Sequence, residues 1–162
     1  MLKIKKVWKA LAIAATLSTV GLTAYPVAAS SSSLLDEITD EETTEDYAED
    51  TAYSLLRGNN LNYGKASISK VSSGEVGVAG ITQCHRSCRT VSLSLSLERK
   101  VNGAYATYKM WDFSANNVTS LAKSINVLVP RNYYYRVRGY HAASDGGTKE
   151  STSTLTYGIL ID

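Results

Sequence analysis

Residues 54–162 of this 162-residue chain predict an all-β fold, an antiparallel β-sandwich of about seven strands. Apolar and polar residues alternate strictly from Val91 to Glu98, as a strand with one buried face requires. Turn-forming pairs such as Asn102-Gly103 separate short runs of this kind, and no long window repeats with the helical period. Tyrosine, which suits a half-buried pleated surface, is also frequent, with 11 residues in the chain.

The segment at 1–29 is predicted to be a secretory signal peptide. Four lysines precede an uncharged apolar run over 10–24, and the small residues Val27-Ala28-Ala29 follow it. The apolar run is too short for a membrane-spanning helix, which needs about 20 residues. We therefore expect a secreted, extracellular protein, cleaved between Ala29 and Ser30, with no membrane span in the mature chain.

Residues 30–53 are predicted to form a flexible acidic leader. They contain nine acidic residues and no basic one, and they lack a core-forming pattern that would offset the entropy of ordering. Two roles stay open for this segment: a solvated spacer, or a pro-segment that shields a basic domain and is later removed. The domain at 54–162 has 13 basic and 6 acidic residues, a formal charge of +7.

Seven strands account for this domain in order. Two weaker apolar runs flank Ser72-Ser73-Gly74, and the alternating run ends at Asn102-Gly103, after which an aromatic-rich run is expected to pair back. Pro130 ends the next alternating run, and Asp145-Gly146-Gly147 separates the last two. The predicted strands are 65–71, 75–83, 90–99, 104–112, 118–129, 133–141 and 151–161.

The sixth predicted strand resembles strand F of fibronectin type III and immunoglobulin-like domains. Its alternation puts Tyr133, Tyr135, Val137 and Gly139 on one face. In those domains a tyrosine near the start of the strand bonds its hydroxyl back to the preceding loop. The resemblance implies that Tyr133 is this structural tyrosine corner.

Longer motifs resemble a family of small secreted proteins of Gram-positive anaerobic bacteria that is grouped as a domain of unknown function. The similarity spans about residues 54–162, and it implies secretion from a bacterium without bringing any activity or catalytic residue. The motifs are Leu55-Leu-Arg-Gly58, Gln83-Cys-His-Arg-Ser-Cys88, Leu97-Glu-Arg99, Tyr133-Tyr-Tyr-Arg-Val-Arg-Gly-Tyr-His-Ala142 and Gly147-Thr-Lys-Glu-Ser-Thr152.

Three loops of the predicted sandwich should meet at one pole, where such folds commonly bind their partners. They follow the strands at 75–83, 104–112 and 133–141 and gather both cysteines and both histidines. The candidate binding-loop residues are His85, Arg86, Arg89, His141, Asp145 and Lys149.

Cys84 and Cys88 are predicted to form a disulfide, the default for a cysteine pair in an exported protein. Two alternatives use the same residues. Cys84, His85, Cys88 and His141 together could ligate Zn²⁺. A cysteine could instead act as a nucleophile with His141 as its base. The disulfide interpretation predicts no metal and no cofactor.

A second candidate surface is the basic and aromatic face of the sixth strand, made of Tyr134, Arg136, Arg138 and Tyr140. Arginine beside tyrosine can stack on sugar rings or bind acidic polymers. The competing interpretation is a solvated outer face that discourages edge pairing. A domain of charge +7 would hold nucleic acid only weakly and without specificity.

The sequence lacks the motifs of common enzymes, such as Gly-x-Ser-x-Gly, His-Glu-x-x-His and a phosphate-binding glycine loop. We therefore predict a non-enzymatic binding module whose partner is a cell-wall polymer, a glycan or a protein. The alternatives are a secreted antibacterial or toxin-like effector with an acidic pro-segment and, third, a small hydrolase.

Overall fold

The computed structural model describes residues 42–54 and 58–162. The predicted signal peptide, the leader up to residue 41, and residues 55–57 of the first family motif lie outside the described residues. Within the described ranges the chain is all-β, with no helix and seven antiparallel strands, which confirms the predicted fold class. The strands are β1 (Tyr47–Tyr53), β2 (Leu61–Ser72), β3 (Glu75–Val101), β4 (Ala104–Leu128), β5 (Tyr133–Ser144), β6 (Lys149–Leu155) and β7 (Ile159–Ile161).

The seven strands form one hydrogen-bonded sheet that is folded into two layers. β3 and β4, with 27 and 25 residues, run through both layers. In the first layer the order is β1, β2, the first part of β3 and the second part of β4. In the second layer it is the first part of β4, the second part of β3, and β5, along which β6 and β7 both lie.

The two layers are in direct contact where β2 faces β5. Gly64 of β2 lies so close to the His141 ring of β5 that a Cβ at this position would overlap the ring. Asp50 of β1 accepts a 2.8 Å hydrogen bond from the backbone N–H of Leu155 in β6. The folded sheet is therefore a sandwich, with its core between the layers.

The strictly alternating run supplies the centre of that core. Val91, Leu93, Leu95 and Leu97 are fully buried, and the serines between them lie on the outer face. Each such apolar side chain stabilises the fold by roughly 1.5–3 kcal/mol relative to an exposed one. The Asn102-Gly103 turn follows with φ angles of 53° and 84°, the left-handed values that the predicted type I′ turn requires.

The predicted strand boundaries need correction because β3 and β4 are each continuous. The strands expected at 75–83 and 90–99 are one strand, and so are those expected at 104–112 and 118–129. The bends are absorbed inside the ladder, by a register shift between Gln83 and Cys88 and by Asn117 at φ 58°. The last predicted strand instead divides into β6 and β7.

The predicted boundary between leader and domain is also wrong. Residues 47–53 form β1, which pairs with β2 along its whole length. Ala48 is buried in the core, and Glu49 on the opposite side forms a 2.6 Å ion pair with Lys65. This acidic segment is ordered because one side of the strand is small and buried while the acids meet a lysine or a backbone N–H.

The tyrosine corner lies two residues beyond its predicted position. Tyr135 is fully buried, and its hydroxyl donates a 2.9 Å hydrogen bond to the carbonyl of Pro130. Tyr133 begins β5 at the edge of the sandwich, is 38% exposed, and has Arg99 over its ring at 4.8 Å. Both residues share one face, but only Tyr135 is far enough along the strand to enter the core.

Candidate functional site

A polar cavity of about 470 Å³ lies at one end of the sandwich, and we call it the pole cavity. It forms where the segment before β2, the bulge of β3 and the β5–β6 turn meet. Its volume falls within the range of roughly 300–1,000 Å³ common for small-molecule sites. The lining residues are Gly58, Asn59, Asn60, Arg86, Asp145, Gly147, Thr148 and Glu150.

Arg86 and Asp145 bring two of the predicted binding loops together at the cavity. The Arg86 Nη2 lies 3.2 Å from the Asp145 carboxylate and 3.5 Å from the side-chain oxygen of Asn60. The side chains of the ion pair are 60% and 40% exposed, so the pair adds little to stability and stays accessible to a ligand. Donor and acceptor groups therefore stand side by side at the mouth of the cavity.

Glu150 builds the floor of the pole cavity from β6. Its buried carboxylate accepts backbone N–H groups of Asn59 at 3.1 Å, Asn60 at 3.1 Å and Leu61 at 2.8 Å. These bonds hold the segment before β2 against the second layer. Glu150 is not among the predicted site residues, although an acidic residue at an inward position of an alternating strand signals a buried acceptor that needs donors.

The prediction that His141 is a binding-loop residue is wrong. His141 is fully buried between the layers, with Nδ1 3.1 Å from the Thr82 hydroxyl and Nε2 2.9 Å from the Thr154 hydroxyl. Burial lowers its pKa to about 4. It occupies an inward position of β5, so its ring cannot reach the pole as a metal ligand or a base. His85 is exposed on the bulge and donates its backbone N–H to the carbonyl of Asn60.

Cys84 and Cys88 stand at the two ends of the β3 bulge as buried free thiols, so the predicted disulfide is not formed in this structure. Burial, together with contact with Cys88, raises the pKa of Cys84 to about 12, which disfavours a thiolate nucleophile. The alternative zinc set does not assemble, since both ring nitrogens of His141 are hydrogen-bonded to Thr82 and Thr154 between the layers. In residues 42–54 and 58–162 no cluster of three or more His, Cys, Asp or Glu is placed to hold a metal ion.

The predicted basic and aromatic face is only partly available to a ligand. Arg136 is buried, with its Nε 2.6 Å from Glu98 and the Tyr105 ring 4.0 Å from its guanidinium carbon. The second oxygen of Glu98 lies 2.8 Å from Nε of Arg138, whose side chain is 46% exposed. Arg136 therefore belongs to a buried ion pair with a structural role, and Arg138 is the arginine of this face that is exposed to solvent.

We call the outward side of the second layer the outer face. Tyr140 is 40% exposed there, and the Lys149 ammonium lies 5.4 Å from the centre of its ring. A hydrogen bond from Ser151 and the nearby Lys149 lower the pKa of Tyr140. A shallow depression of about 300 Å³ opens beside them, lined by Thr90, Ser92, Ala142, Ala143, Ser144 and Lys149.

A groove of about 410 Å³ also lies on the first layer, away from these residues. Small or apolar residues of β2, β3 and β4 line most of it, including Ala79, Ile81 and Ala122. Two lysines also line it: Lys65 is paired with Glu49, and Lys123 lies 5.5 Å from the centre of the Phe113 ring. The groove therefore offers few groups that could select a polar ligand.

Comparison with known families identifies the family to which the chain belongs. Residues 37–158 match the family described as "Family of unknown function (DUF6147)". The chain belongs to this family. The match takes in β1 to β6, so both the pole cavity and the outer face lie within the DUF6147 region. The expectation of a family without assigned function is confirmed.

This DUF6147 protein was also compared with curated proteins and with solved structures. A search of curated proteins finds no match. Among solved structures, the crystal structure of chicken MD-1 complexed with lipid IVa is similar at 13% identity and a TM-score of 0.28, covering 67% of this chain and 96% of that one. The described part of the chain has no helix long and apolar enough to cross a membrane.

Of the predicted site residues, the DUF6147 fold brings Arg86 and Asp145 together at the pole cavity. Arg89 lies beside the same β5–β6 turn, with its guanidinium carbon 3.7 Å from where a Cβ of Gly146 would be. Lys149 and Tyr140 meet on the outer face, and Tyr134 lies on the same side of β5. His141 and Arg136 are buried elsewhere.

Proposed function

We propose that this DUF6147 protein is an exported, non-enzymatic binding module that holds a glycan at the pole cavity. The observation that carries the proposal is the lining of that cavity, which combines a cation, two carboxylates, two amides and a hydroxyl. Bound sugars need this mixture because every hydroxyl group both donates and accepts hydrogen bonds.

The geometry of Arg86 and Asp145 supports a hydroxylated ligand in particular. Their charged groups are 3.2 Å apart, so one sugar hydroxyl can accept from the guanidinium while its neighbour donates to the carboxylate. Asn59 and Asn60 add amide groups to the lining, and Thr148 adds a hydroxyl. Such convergent polar groups in a concave site orient a ligand.

The absence of catalysis is part of the proposal. The pKa of Cys84 is raised, which disfavours thiolate chemistry, and the ring of His141 is bonded to two threonines inside the core. Neither group is presented to the pole cavity. These observations support binding over hydrolysis for the residues that the sequence singled out.

Export and the finer fold assignment are proposed with it. The lysine-rich, apolar and small-residue order of residues 1–29 supports a cleaved signal peptide. The layer order supports the immunoglobulin-like resemblance, because those sandwiches join strands A, B and E in one sheet and C, F and G in the other. Here β2 is strand A, β3 is B and C, β4 contains E, and β5 is F.

An array of neutral and acidic oligosaccharides, probed with the purified chain, tests the binding function. We expect selective binding that falls about tenfold or more in Arg86→Ala and Asp145→Ala, since each removes a charged hydrogen-bond partner. Glu49→Ala is the matched control, because it removes one member of an exposed ion pair on the first layer. Absence of glycan binding, or equal binding by all variants, would contradict the proposal.

Export is tested separately in a bacterial host. We expect the protein in the culture medium with Ser30 at its amino terminus. Replacement of Lys3, Lys5, Lys6 and Lys9 by glutamate should keep the chain inside the cell, because export requires a positive amino-terminal region. A mature chain that begins after β1 would instead support removal of the acidic segment.

A further inference from the structure

Resting on the proposed function, we propose that the glycan is an acidic polymer, and that it continues from the pole cavity along the outer face over Lys149 and Tyr140. The outer face would then be a second part of the same site, and the ligand would carry negative charge. It is carried by the continuity, the chemistry and the charge of this surface.

The β5–β6 turn connects the two parts of the site. Asp145 and Thr148 of the turn line the pole cavity. The next residue on either side, Ser144 and Lys149, form a cross-strand pair and line the depression on the outer face. A chain that leaves the cavity over the turn thus arrives directly at the outer face.

Hydroxyl groups cover the outer face around one aromatic ring. Tyr140 pairs with Ser94 on one side and Ser153 on the other, and Ala142, in the next row, leaves room between strands. Aromatic rings flanked by hydrogen-bonding groups suit the apolar face and the hydroxyl rim of a sugar. Outward hydroxyls in neighbouring rows are Thr90, Ser92, Ser96, Ser144 and Ser151.

The charge along β5 and β6 is positive. Lys149 is exposed, and among the described residues its ammonium forms no ion pair. Arg138 lies six residues before Ser144 in β5, which corresponds to about 20 Å along the strand. Asp112 stands across β3, opposite Ser94, so the acid lies off this path. A ligand that follows β5 and β6 meets the Lys149 ammonium first and then Arg138, whose guanidinium is paired with Glu98. The path is therefore cationic chiefly at Lys149, which favours carboxylated or phosphorylated sugar units there.

The test compares each acidic polymer that binds with its carboxyl-reduced form, which keeps the sugar rings and removes the charge. Polygalacturonate and its reduced form are the first pair, measured by titration at low salt. We expect the full chain to prefer the acidic form by about fivefold or more, a preference that salt weakens. Lys149→Gln should remove most of this preference, and Tyr140→Ala should weaken both forms.

Lys123→Gln is the matched control, because Lys123 also lies over an aromatic ring, at 5.5 Å from the centre of Phe113, but belongs to β4. It should keep the preference for the acidic form. Equal affinity for the two forms, or a preference that survives Lys149→Gln, would overturn the acidic path and leave the pole cavity function standing. Loss of both forms in Arg86→Ala supports the pole cavity. Binding of no polymer pair overturns the acidic path, and absence of binding to every glycan of the array overturns the pole cavity function as well.

Discussion

A few polar residues buried in or between the layers set local geometry in this domain. Glu98 joins two arginines, Glu150 collects three backbone N–H groups, and His141 joins two threonines. Groups of this kind are costly to bury unless they are fully bonded. In the part of the chain that the structure describes, no fully buried side-chain nitrogen or oxygen lacks a partner.

Replacement of Tyr135 by Phe tests the tyrosine corner. Loss of the 2.9 Å bond to the Pro130 carbonyl should lower the free energy of unfolding by about 1 kcal/mol, measured by urea denaturation. Tyr133→Phe is the control and should change stability little, because that ring is at the edge of the sandwich. A larger decrease in the free energy of unfolding for Tyr133→Phe than for Tyr135→Phe would indicate that Tyr133 forms the corner.

At the scale of elements, the long strands decide the architecture. The bulge of β3 carries the chain from one layer to the other and presents Arg86 to the pole cavity. β1 closes the free edge of β2 with an acidic segment. Both features are hard to recognise from the sequence, because one interrupts an apolar pattern and the other has adjacent acids, Glu49 and Asp50, in its middle.

Charge introduced at Ala48 tests whether β1 is part of the fold. Ala48→Asp should lower the free energy of unfolding by about 3 kcal/mol or more, since it places an unpaired carboxylate in the core. Thr51→Asp puts the same charge on the exposed side of the same strand and should be nearly neutral. Equal stability of the two variants would support a solvated leader.

The cysteine pair at the bulge remains a predicted disulfide, a prediction that rests on the proposed export. We expect the intact mass of secreted protein to rise by about 2 Da on reduction, as one disulfide becomes two thiols. Closing this short loop should stabilise the domain by about 2 kcal/mol. An unchanged mass, with both thiols alkylated only after unfolding, would show that the buried thiols persist.

For the whole molecule, stability depends on keeping the two layers together across a partly polar core. His141 stands at the centre of that contact, against Gly64 of the opposite layer. Its neutral ring fits there, whereas an imidazolium would have to shed its hydration. Protonation of His141 at low pH should therefore destabilise the contact between the two layers, and with it the whole sandwich.

The free energy of unfolding should fall as pH drops from about 6.5 to about 4. Above the ordinary pKa of 6.5 the ring is neutral in both states. Below pH 6.5 the imidazole of His141 is protonated in the unfolded chain but stays neutral in the folded chain until the pH reaches its folded-state pKa of about 4. The free energy of unfolding therefore falls across this pH range. The loss attributable to His141 should be about 3 kcal/mol, measured by urea denaturation at several pH values.

His141→Gln should flatten this part of the pH profile, and His85→Gln should keep it, because His85 is exposed. An NMR titration of the His141 ring adds a measurement that needs no variant, and its signals should stay those of neutral imidazole down to about pH 5. Titration near 6.5, or identical profiles in both variants, would refute a buried neutral ring.

The periodicity of the sequence predicted those features of the fold that depend on residues close together in the chain. The run at 91–98, the Asn102-Gly103 turn and the inward set Tyr135, Val137 and Gly139 all follow from local alternation and backbone preference. The meeting of Arg86 with Asp145 also followed, because loops on alternate strands share one end of a sandwich. Glu150 could not be assigned its role, since its three donors lie about 90 residues away.

The sequence by itself determined the all-β class, the core-facing side of most strands and the family, because these depend on residue pattern. Tertiary structure alone decided that the acids of β1 belong to the fold, that His141 and Arg136 are buried, and that Tyr135 forms the corner. Each of these outcomes depends on a partner from a distant strand, and the cost of burying a polar group is set by that partner. Local periodicity carries no information about it.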